Sequence, residues 1–389
     1  MEEILYRYNP WWEKDFSLSD VIPRNSFLEK MKASLEEKDI VFLIGLRRVG
    51  KTTLLKSLIA WLIQDHGVDP GRIFYISLDD YTLSSHSILE LVETFRKIHK
   101  IRFEEKLYLF FDEVTYQKDF EIQLKNLYDQ QQVKVYTSAS SASLLKRGKP
   151  FLTGRSSVLE ILPLDFEEYL LFKKIIVMKS DQHLLAGYFE VFLQTGGIPE
   201  FVLRGDLEYL KELVDDIILK DIAVAHGIRQ PQVLKNFFLL LMERSGKQFS
   251  INKMARILGI SPDTAKRYLE MFQDSYLIYL IPRFGKTNER LLSPKKIYAA
   301  DLGIRTLFTG FRDKGSLFEN YVYLKLRDRN PSYVFEDSTE IDFLTSEKTL
   351  IEVKYGQEMT VKQQLLFEKS KAKKKLIIRG YEDLGRLEE

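Results

Sequence analysis

Residues 45–52 read Gly-Leu-Arg-Arg-Val-Gly-Lys-Thr, between the apolar run IVFLIGL of residues 40–46 and a stretch whose leucines and isoleucines recur at helical spacing, Leu54, Leu55, Leu58, Ile59 and Leu62. The apolar run predicts a buried strand over 39–46, and the spacing predicts a helix over 52–64. A glycine-rich turn from strand to helix is a phosphate-binding loop. Its glycines let backbone N–H groups converge on an anion, and the helix adds the positive end of its dipole. The pattern G-x-x-x-x-G-K-T is a complete Walker A loop, which commits the N-terminal part to an α/β sheet that binds ATP. The expected nucleotide contacts are Gly45, Arg47, Arg48, Val49, Gly50, Lys51, Thr52 and Thr53. Lys51 is expected to reach the β- and γ-phosphates, and Thr52 to ligate Mg²⁺.

Further strands are predicted at 73–78, 107–111 and 133–137, alternating with helices as in an open, mostly parallel sheet. The run Leu107-Tyr108-Leu109-Phe110-Phe111 ends in Asp112-Glu113. Asp112 is placed to hold Mg²⁺ and Glu113 to orient and polarise an attacking water, which favours hydrolysis over nucleotide holding. The next strand runs into Ser138-Ala139-Ser140-Ser141, where Ser141 or Ser138 is a candidate contact to the γ-phosphate or the water. Arg155 is a candidate arginine finger, acting in cis or toward a neighbouring subunit. The trans case implies a homo-oligomer with the ATP site at a subunit interface.

Beyond residue 163 the character changes. The expected organisation is a lead-in plus P-loop domain over 1–164, a helical lid over 165–235, a winged helix-turn-helix over 236–290 and a further α/β domain over 291–389. Residues 250–258 read as one helix, Gly259-Ile260-Ser261 as a turn, and Pro262–Gln273 as a second helix with Ser261 as N-cap and proline at its first position. Thr264, Lys266 and Arg267 fall outside the apolar stripe of that second helix. With Arg283, and Lys286 beside it, they are the candidate DNA contacts. The competing reading is a winged helix used only for packing.

Glu340-Ile341-Asp342-Phe343-Leu344 and Leu350-Ile351-Glu352-Val353-Lys354 read as two strands joined by the turn TSEK. Alternation puts Glu352 and Lys354 on one face, and a hairpin lets Asp342 converge on them. Two carboxylates there, with Glu319 from the helix upstream as a third, are candidates to hold Mg²⁺, and Lys354 to orient a water or stabilise a phosphate. The spacing D-x9-E-x-K is that of PD-(D/E)XK nucleases. Asp342, Glu352 and Lys354 are its candidate catalytic groups, and the metal ligands expected across the chain are Thr52, Asp112, Glu319, Asp342 and Glu352.

Lys plus Arg number 58 and Asp plus Glu 56, so bulk charge announces no nucleic-acid binder and any basic surface is local. There is no cysteine, which excludes disulfides and thiolate metal sites, and the five histidines lack metal-ligand spacing. No basic-then-apolar leader opens the chain, and no apolar run approaches the roughly 18 residues of a membrane span. A cytoplasmic location and no membrane partner are the expectations.

The stretches NPWW (9–12), GLRRVGKTT (45–53), FFDEV (110–114), LTGR (152–155), PLDFEEYL (163–170), GGIPE (196–200), KKIYAADLG (295–303), FEN (318–320), EIDF (340–343) and IEVK (351–354) together resemble a class of archaeal and bacterial ATPases. That class joins an AAA-type P-loop domain, a winged helix and a C-terminal PD-(D/E)XK-like domain. The resemblance spans nearly the whole chain. It implies ATP hydrolysis at Lys51, Thr52, Asp112 and Glu113, and a metal-dependent nuclease site at Glu319, Asp342, Glu352 and Lys354. The stretch TSASS departs from the glycine that similar proteins carry after the Thr or Ser. Two functions follow: an ATP-dependent DNA-processing ATPase, or a nucleotide-dependent regulatory switch that binds protein partners and uses the nuclease-like domain only for docking.

Overall fold

A computed structural model describes residues 1–19, 21–130, 132–140 and 152–387. The chain forms two compact units, residues 1–162 and residues 163 onward. No described helix is long and apolar enough to cross a membrane.

The first unit opens with α1 (Glu2–Tyr8), a 3₁₀ turn at Pro10–Trp12 and α2 (Asn25–Ala33). Its sheet contains β1 (Ile40–Ile44), β2 (Ile73–Ser77), β3 (Leu107–Asp112), β4 (Val133–Ala139) and β5 (Ser156–Glu160). The strand order is β2-β3-β4-β1-β5, and every pairing is parallel. Helices α3 (Lys51–Gln64), α4 (Ile88–His99) and α5 (Phe120–Gln130) connect the strands. β1, β3 and β4 are buried throughout; β1, and β3 up to Asp112, read as unbroken apolar runs, whereas β4 carries Lys134, Thr137 and Ser138. β5 was not among the predicted strands. It is an edge strand, only half buried, and its residues Ser-Ser-Val-Leu-Glu carry no apolar run to betray it.

β2 is the opposite edge, and the N-terminal segment covers it. The Asn9 side chain behaves as a strand would: its Oδ1 accepts from Tyr75 N–H at 2.7 Å and its Nδ2 donates to Tyr75 C=O at 2.9 Å. The indoles of Trp11 and Trp12 both donate to Ile73 C=O. Trp12 then stacks on Phe95 of α4, with ring centroids 5.3 Å apart. An open edge is thereby closed with side chains instead of a further strand.

The second unit starts with helices: α6 (Phe166–Phe172), α7 (Leu185–Thr195), α8 (Pro199–Arg204), α9 (Leu207–Asp215) with a π-helical continuation to Val224, and α10 (Pro231–Glu243). Next come β6 (Gln248–Phe249), α11 (Ile251–Leu258), α12 (Pro262–Asp274), β7 (Ile278–Ile281), α13 (Thr287–Leu292) and β8 (Lys295–Ala299). These strands form an antiparallel sheet in the order β6-β8-β7. The boundary anticipated at 290/291 therefore runs through this sheet, because β8 pairs with both β6 and β7. α14 (Leu302–Thr309) and α15 (Lys314–Leu326) lead to β9 (Ser332–Glu336), β10 (Thr339–Leu344), β11 (Thr349–Val353), α16 (Val361–Lys369) and β12 (Lys374–Ile378). The last four strands lie in the order β12-β11-β10-β9, with only the β11–β12 pair parallel.

Three sequence stretches, PLDF, GGIP and ADLG, meet in this unit through their backbones. A Cβ on Gly197 would lie 2.1 Å from Leu164 C=O, a contact only glycine permits. The Asp301 carboxylate, itself buried, accepts from Gly197 N–H at 2.7 Å and from Ile304 N–H at 2.9 Å, capping α14 and holding the glycine turn at once. Asn320 donates to and accepts from the Ala299 backbone and also accepts from Ser245.

Burial raises the Asp301 pKa to about 6, against the backbone donors that favour its charge. The folded state therefore keeps a proton that the unfolded chain has already lost, and this group's contribution falls as pH rises through that interval. Measured by denaturant unfolding, the stability of the wild type relative to Asp301→Asn is expected to drop by about 3 kcal/mol between pH about 3 and about 7. A difference that is flat with pH would show that the carboxylate is not desolvated.

Candidate functional site

At the C-terminal edge of the first sheet, β1, β3 and β4 deliver three loops side by side. This is where open α/β sheets bind ligands. The loop after β1 begins at Gly45, whose missing Cβ would lie 2.2 Å from Ile161 C=O. Arg48 and Gly50 adopt positive φ, 63° and 97°, left-handed conformations of the kind from which anion-binding turns are built. Val49 is buried, Arg47 half-buried and Arg48 exposed. Lys51 is buried at the start of α3, and its Nζ donates to the Gly45 and Leu46 carbonyls, both at 3.0 Å. Thr53 is exposed in the same first turn.

β3 ends at Asp112. Its Oδ2 accepts from Thr52 Oγ1 at 2.7 Å and from the Tyr75 hydroxyl at 3.0 Å, and its Oδ1 accepts from Ser138 Oγ. Glu113 sits at φ 49°, its N–H donating to Ser138 Oγ and its Oε1 accepting from Ser140 Oγ at 2.7 Å. Burial raises the Glu113 pKa, and Lys51 opposes the rise. Ser141 lies outside the described residues; Ser138 and Ser140 make the contacts here. A hydroxyl and a carboxylate 2.7 Å apart, at the end of the loop of residues 45–50, fit a Mg²⁺ ion bound mainly through phosphates and water. Thr52 and Asp112 would hold that ion.

Reading the sequence missed two contacts in this unit. Arg24 is buried, and its Nη1 donates to Val49 C=O at 2.9 Å and Leu162 C=O at 2.8 Å, bracing the loop. Tyr75 reaches Asp112 from the neighbouring strand. Both contacts span tens of residues, and nothing local in the sequence marks them. Arg155 requires a correction. Its carbonyl accepts from Ile40 N–H, at the start of β1, and its guanidinium pairs with Asp129 at 2.9 Å. About 16 Å of strand then separates it from the phosphate loop, so Arg155 does not reach that loop within its own chain and serves here as the partner of Asp129.

The second unit brings together the four residues singled out at its C-terminal end. Phe343 pairs with Ile351, so Asp342 stands across from Glu352 on the adjacent strand. Asp342 Oδ2 accepts from Val353 N–H at 2.9 Å, and Asp342 N–H donates to Glu352 Oε2 at 3.2 Å. Lys354 and Gln363 both reach Glu352 Oε1 at 2.9 Å. Glu319 joins through Lys296, which was not anticipated. Lys296 Nζ is fully buried and lies 2.7 Å from Glu319, 2.6 Å from Glu340 and 3.2 Å from Asp342. The Tyr298 hydroxyl donates to Glu319 at 2.7 Å, and Gln248 donates to Glu340.

Burial and the neighbouring Asp342 push Glu319 up to about 7 and Glu352 up to about 8. Burial alone would strip Lys296 of its proton, but Glu319 and the other surrounding acids keep it charged. An ammonium thus stands where the carboxylates converge, and among the described residues no group of three or more acidic or histidine side chains is arranged to hold a metal ion. The expected metal set Glu319, Asp342 and Glu352 does not fit a metal in this arrangement. Lys296 could have been suspected from KKIYAADLG, where a lysine falls within a strand.

Of the candidate DNA contacts, Lys266 and Arg267 are exposed on α12. Thr264 is half-buried, its N–H and hydroxyl both engaged by Ser261. Arg283 is half-buried. Its Nη2 donates to Phe335 C=O at 2.5 Å and its guanidinium lies over the Phe335 ring, joining β7 to β9.

Comparison with known proteins accords with the first of these sites. Residues 37–170 match an AAA domain, and residues 187–315 match a domain of unknown function, DUF8612. Among solved structures, the replication initiator DnaA bound to AMPPCP and single-stranded DNA is 18% identical. It covers 69% of this chain and 92% of its own, at a TM-score of 0.30, too low to carry weight. MJ1637 of Methanocaldococcus jannaschii is 27% identical over 96% of this chain and 87% of its own. MJ1544 of the same organism is 31% identical over 96% of this chain and 89% of its own. The phosphate loop and its carboxylate partners lie within the AAA domain, and the chain as a whole belongs to the family of MJ1544, as a P-loop ATPase of AAA type.

Proposed function

We propose that this protein hydrolyses ATP at the loop of residues 45–53 and engages DNA through its second unit. The observation that carries the first part is the convergence of Thr52, Asp112 and Glu113 beside Lys51, with Asp112 held by three hydroxyls and Glu113 held by Ser140. In this reading the loop peptides and Lys51 bind and orient the phosphates. A Mg²⁺ ion held by Thr52 and Asp112 would supply charge neutralisation to the phosphates. Glu113 holds and polarises a water at its carboxylate, and its raised pKa favours accepting a proton. Ser140 fixes the direction in which that carboxylate points.

The DNA part is supported by the order helix, strand, helix, helix, strand, helix, strand from α10 to β8, that of a winged helix with the short α13 inserted between its last two strands, and by Lys266 and Arg267 exposed on α12. The order helix, three strands, helix, strand from α15 to β12 is likewise what the PD-(D/E)XK resemblance implies. One observation favours the regulatory reading for that end of the chain. Lys296 already pairs with two of the three carboxylates that a nuclease would present to a metal, Glu319 and Asp342. The second reading is a nucleotide-driven switch whose C-terminal sheet docks a partner.

Lys51→Ala is expected to reduce ATP hydrolysis by at least about 100-fold with the fold retained by circular dichroism. DNA is expected to stimulate the wild-type rate; an unchanged rate together with no binding at low salt would remove the DNA reading. The double variant Lys266→Ala/Arg267→Ala should weaken DNA binding and lower the slope of log affinity against log salt by roughly 2. DNA cleavage assayed in Mg²⁺ or Mn²⁺ separates the two readings. Cleavage abolished by Asp342→Ala establishes a nuclease, and none by the wild type favours the switch.

A further inference from the structure

Tyr75 lies inside β2, yet its side chain belongs to the site at the end of β3. The β2–β3 register pairs Ser77 with Asp112, so Tyr75 stands two residues back along its strand, and its ring spans the offset. Its hydroxyl donates to Oδ2 of Asp112 at 3.0 Å, on the same oxygen that Thr52 Oγ1 reaches at 2.7 Å. The ring is 3% exposed and lies beside the Tyr8 ring, with centroids 6.2 Å apart, and Lys56 Nζ is 5.5 Å from its centre. Its backbone N–H and C=O are both held by the Asn9 side chain. The N-terminal Tyr8-Asn9 pair therefore fixes where the Tyr75 hydroxyl points.

We infer that Tyr75 is a positioning residue for the metal–nucleotide site, acting through Asp112; this rests on the ATPase reading above. The reason is that a carboxylate turns about a terminal torsion whose energy well is broad, so its direction is set by its donors. Ser138 holds Oδ1, and Oδ2 takes donors from Thr52 and Tyr75. A hydroxyl that offers a lone pair to Mg²⁺ keeps its proton, so Thr52 would serve both the ion and Asp112, but its place would follow the ion. The Tyr75 hydroxyl is the donor on Oδ2 that the fold fixes with or without the ion. It touches neither nucleotide nor water in this role, and its effect falls on metal-dependent binding rather than on phosphate binding as such.

Tyr75→Phe removes one oxygen atom and leaves the buried ring. In the full chain, the affinity for a fluorescent ATP analogue is measured in EDTA and in Mg²⁺. The wild type is expected to bind more tightly with Mg²⁺. In Tyr75→Phe the EDTA affinity stays within about two-fold of wild type, while the gain from Mg²⁺ falls roughly ten-fold, as for one lost hydrogen bond to a charged group. The Mg²⁺ concentration for half-maximal ATP hydrolysis rises in parallel. An undiminished Mg²⁺ gain in the variant overturns the role of Tyr75 alone, as does an equal loss with and without Mg²⁺, which would mark a merely structural defect. A wild type with no Mg²⁺ gain overturns the ATPase reading and this inference with it.

Discussion

The first unit is organised around one buried carboxylate. Asp112 ends a strand whose every residue is buried, and a carboxylate placed there is costly unless each oxygen finds a donor. It finds three, from three different parts of the sheet: Thr52 after β1, Tyr75 in β2 and Ser138 in β4. Satisfying Asp112 therefore fixes the relative positions of α3, β2, β3 and β4. The same hydrogen bonds that make burial tolerable also bring the phosphate loop next to Glu113. Stability and site geometry share one network, and the N-terminal segment enters it by pinning Tyr75.

The second unit solves the same problem with the opposite charge. Lys296 is buried on β8 and can remain charged only because Glu319, Glu340 and Asp342 surround it. β8 is the strand that joins the small antiparallel sheet to the α15–β12 region, so the ion cluster ties the two together. Of the carboxylates that would bind a metal in a nuclease, Glu319 and Asp342 are here paired with Lys296, and Glu352 with Lys354. This is a physical reason to separate the likeness of topology from the claim of catalysis.

Much of this was legible beforehand. The strand–loop–helix of residues 40–64, the Asp112-Glu113 strand end, the Ser261 cap with Pro262, and the 340–354 hairpin all follow from periodicity and local turn chemistry. Asp342 facing Glu352 follows from alternation along two strands joined by a short turn. What failed to show was of another kind. β5 carried no apolar run because only one side of it is covered. Arg155 followed a glycine turn, as a finger might, but parallel pairing with β1 sent it to the far end of the sheet. Arg283 looked like a surface cation and is instead a tie to Phe335.

The sequence by itself determined where a nucleotide would bind and which residues stand at the strand ends. These properties depend on spacing within some ten residues, where the period of a helix or strand fixes which side chains share a face. Only the tertiary structure decided what those residues touch. Tyr75 on Asp112, Arg24 on Val49 and Lys296 among three carboxylates join positions between 23 and 46 residues apart. Such contacts arise because a buried charge must find partners wherever the fold places them, and no local pattern records that requirement.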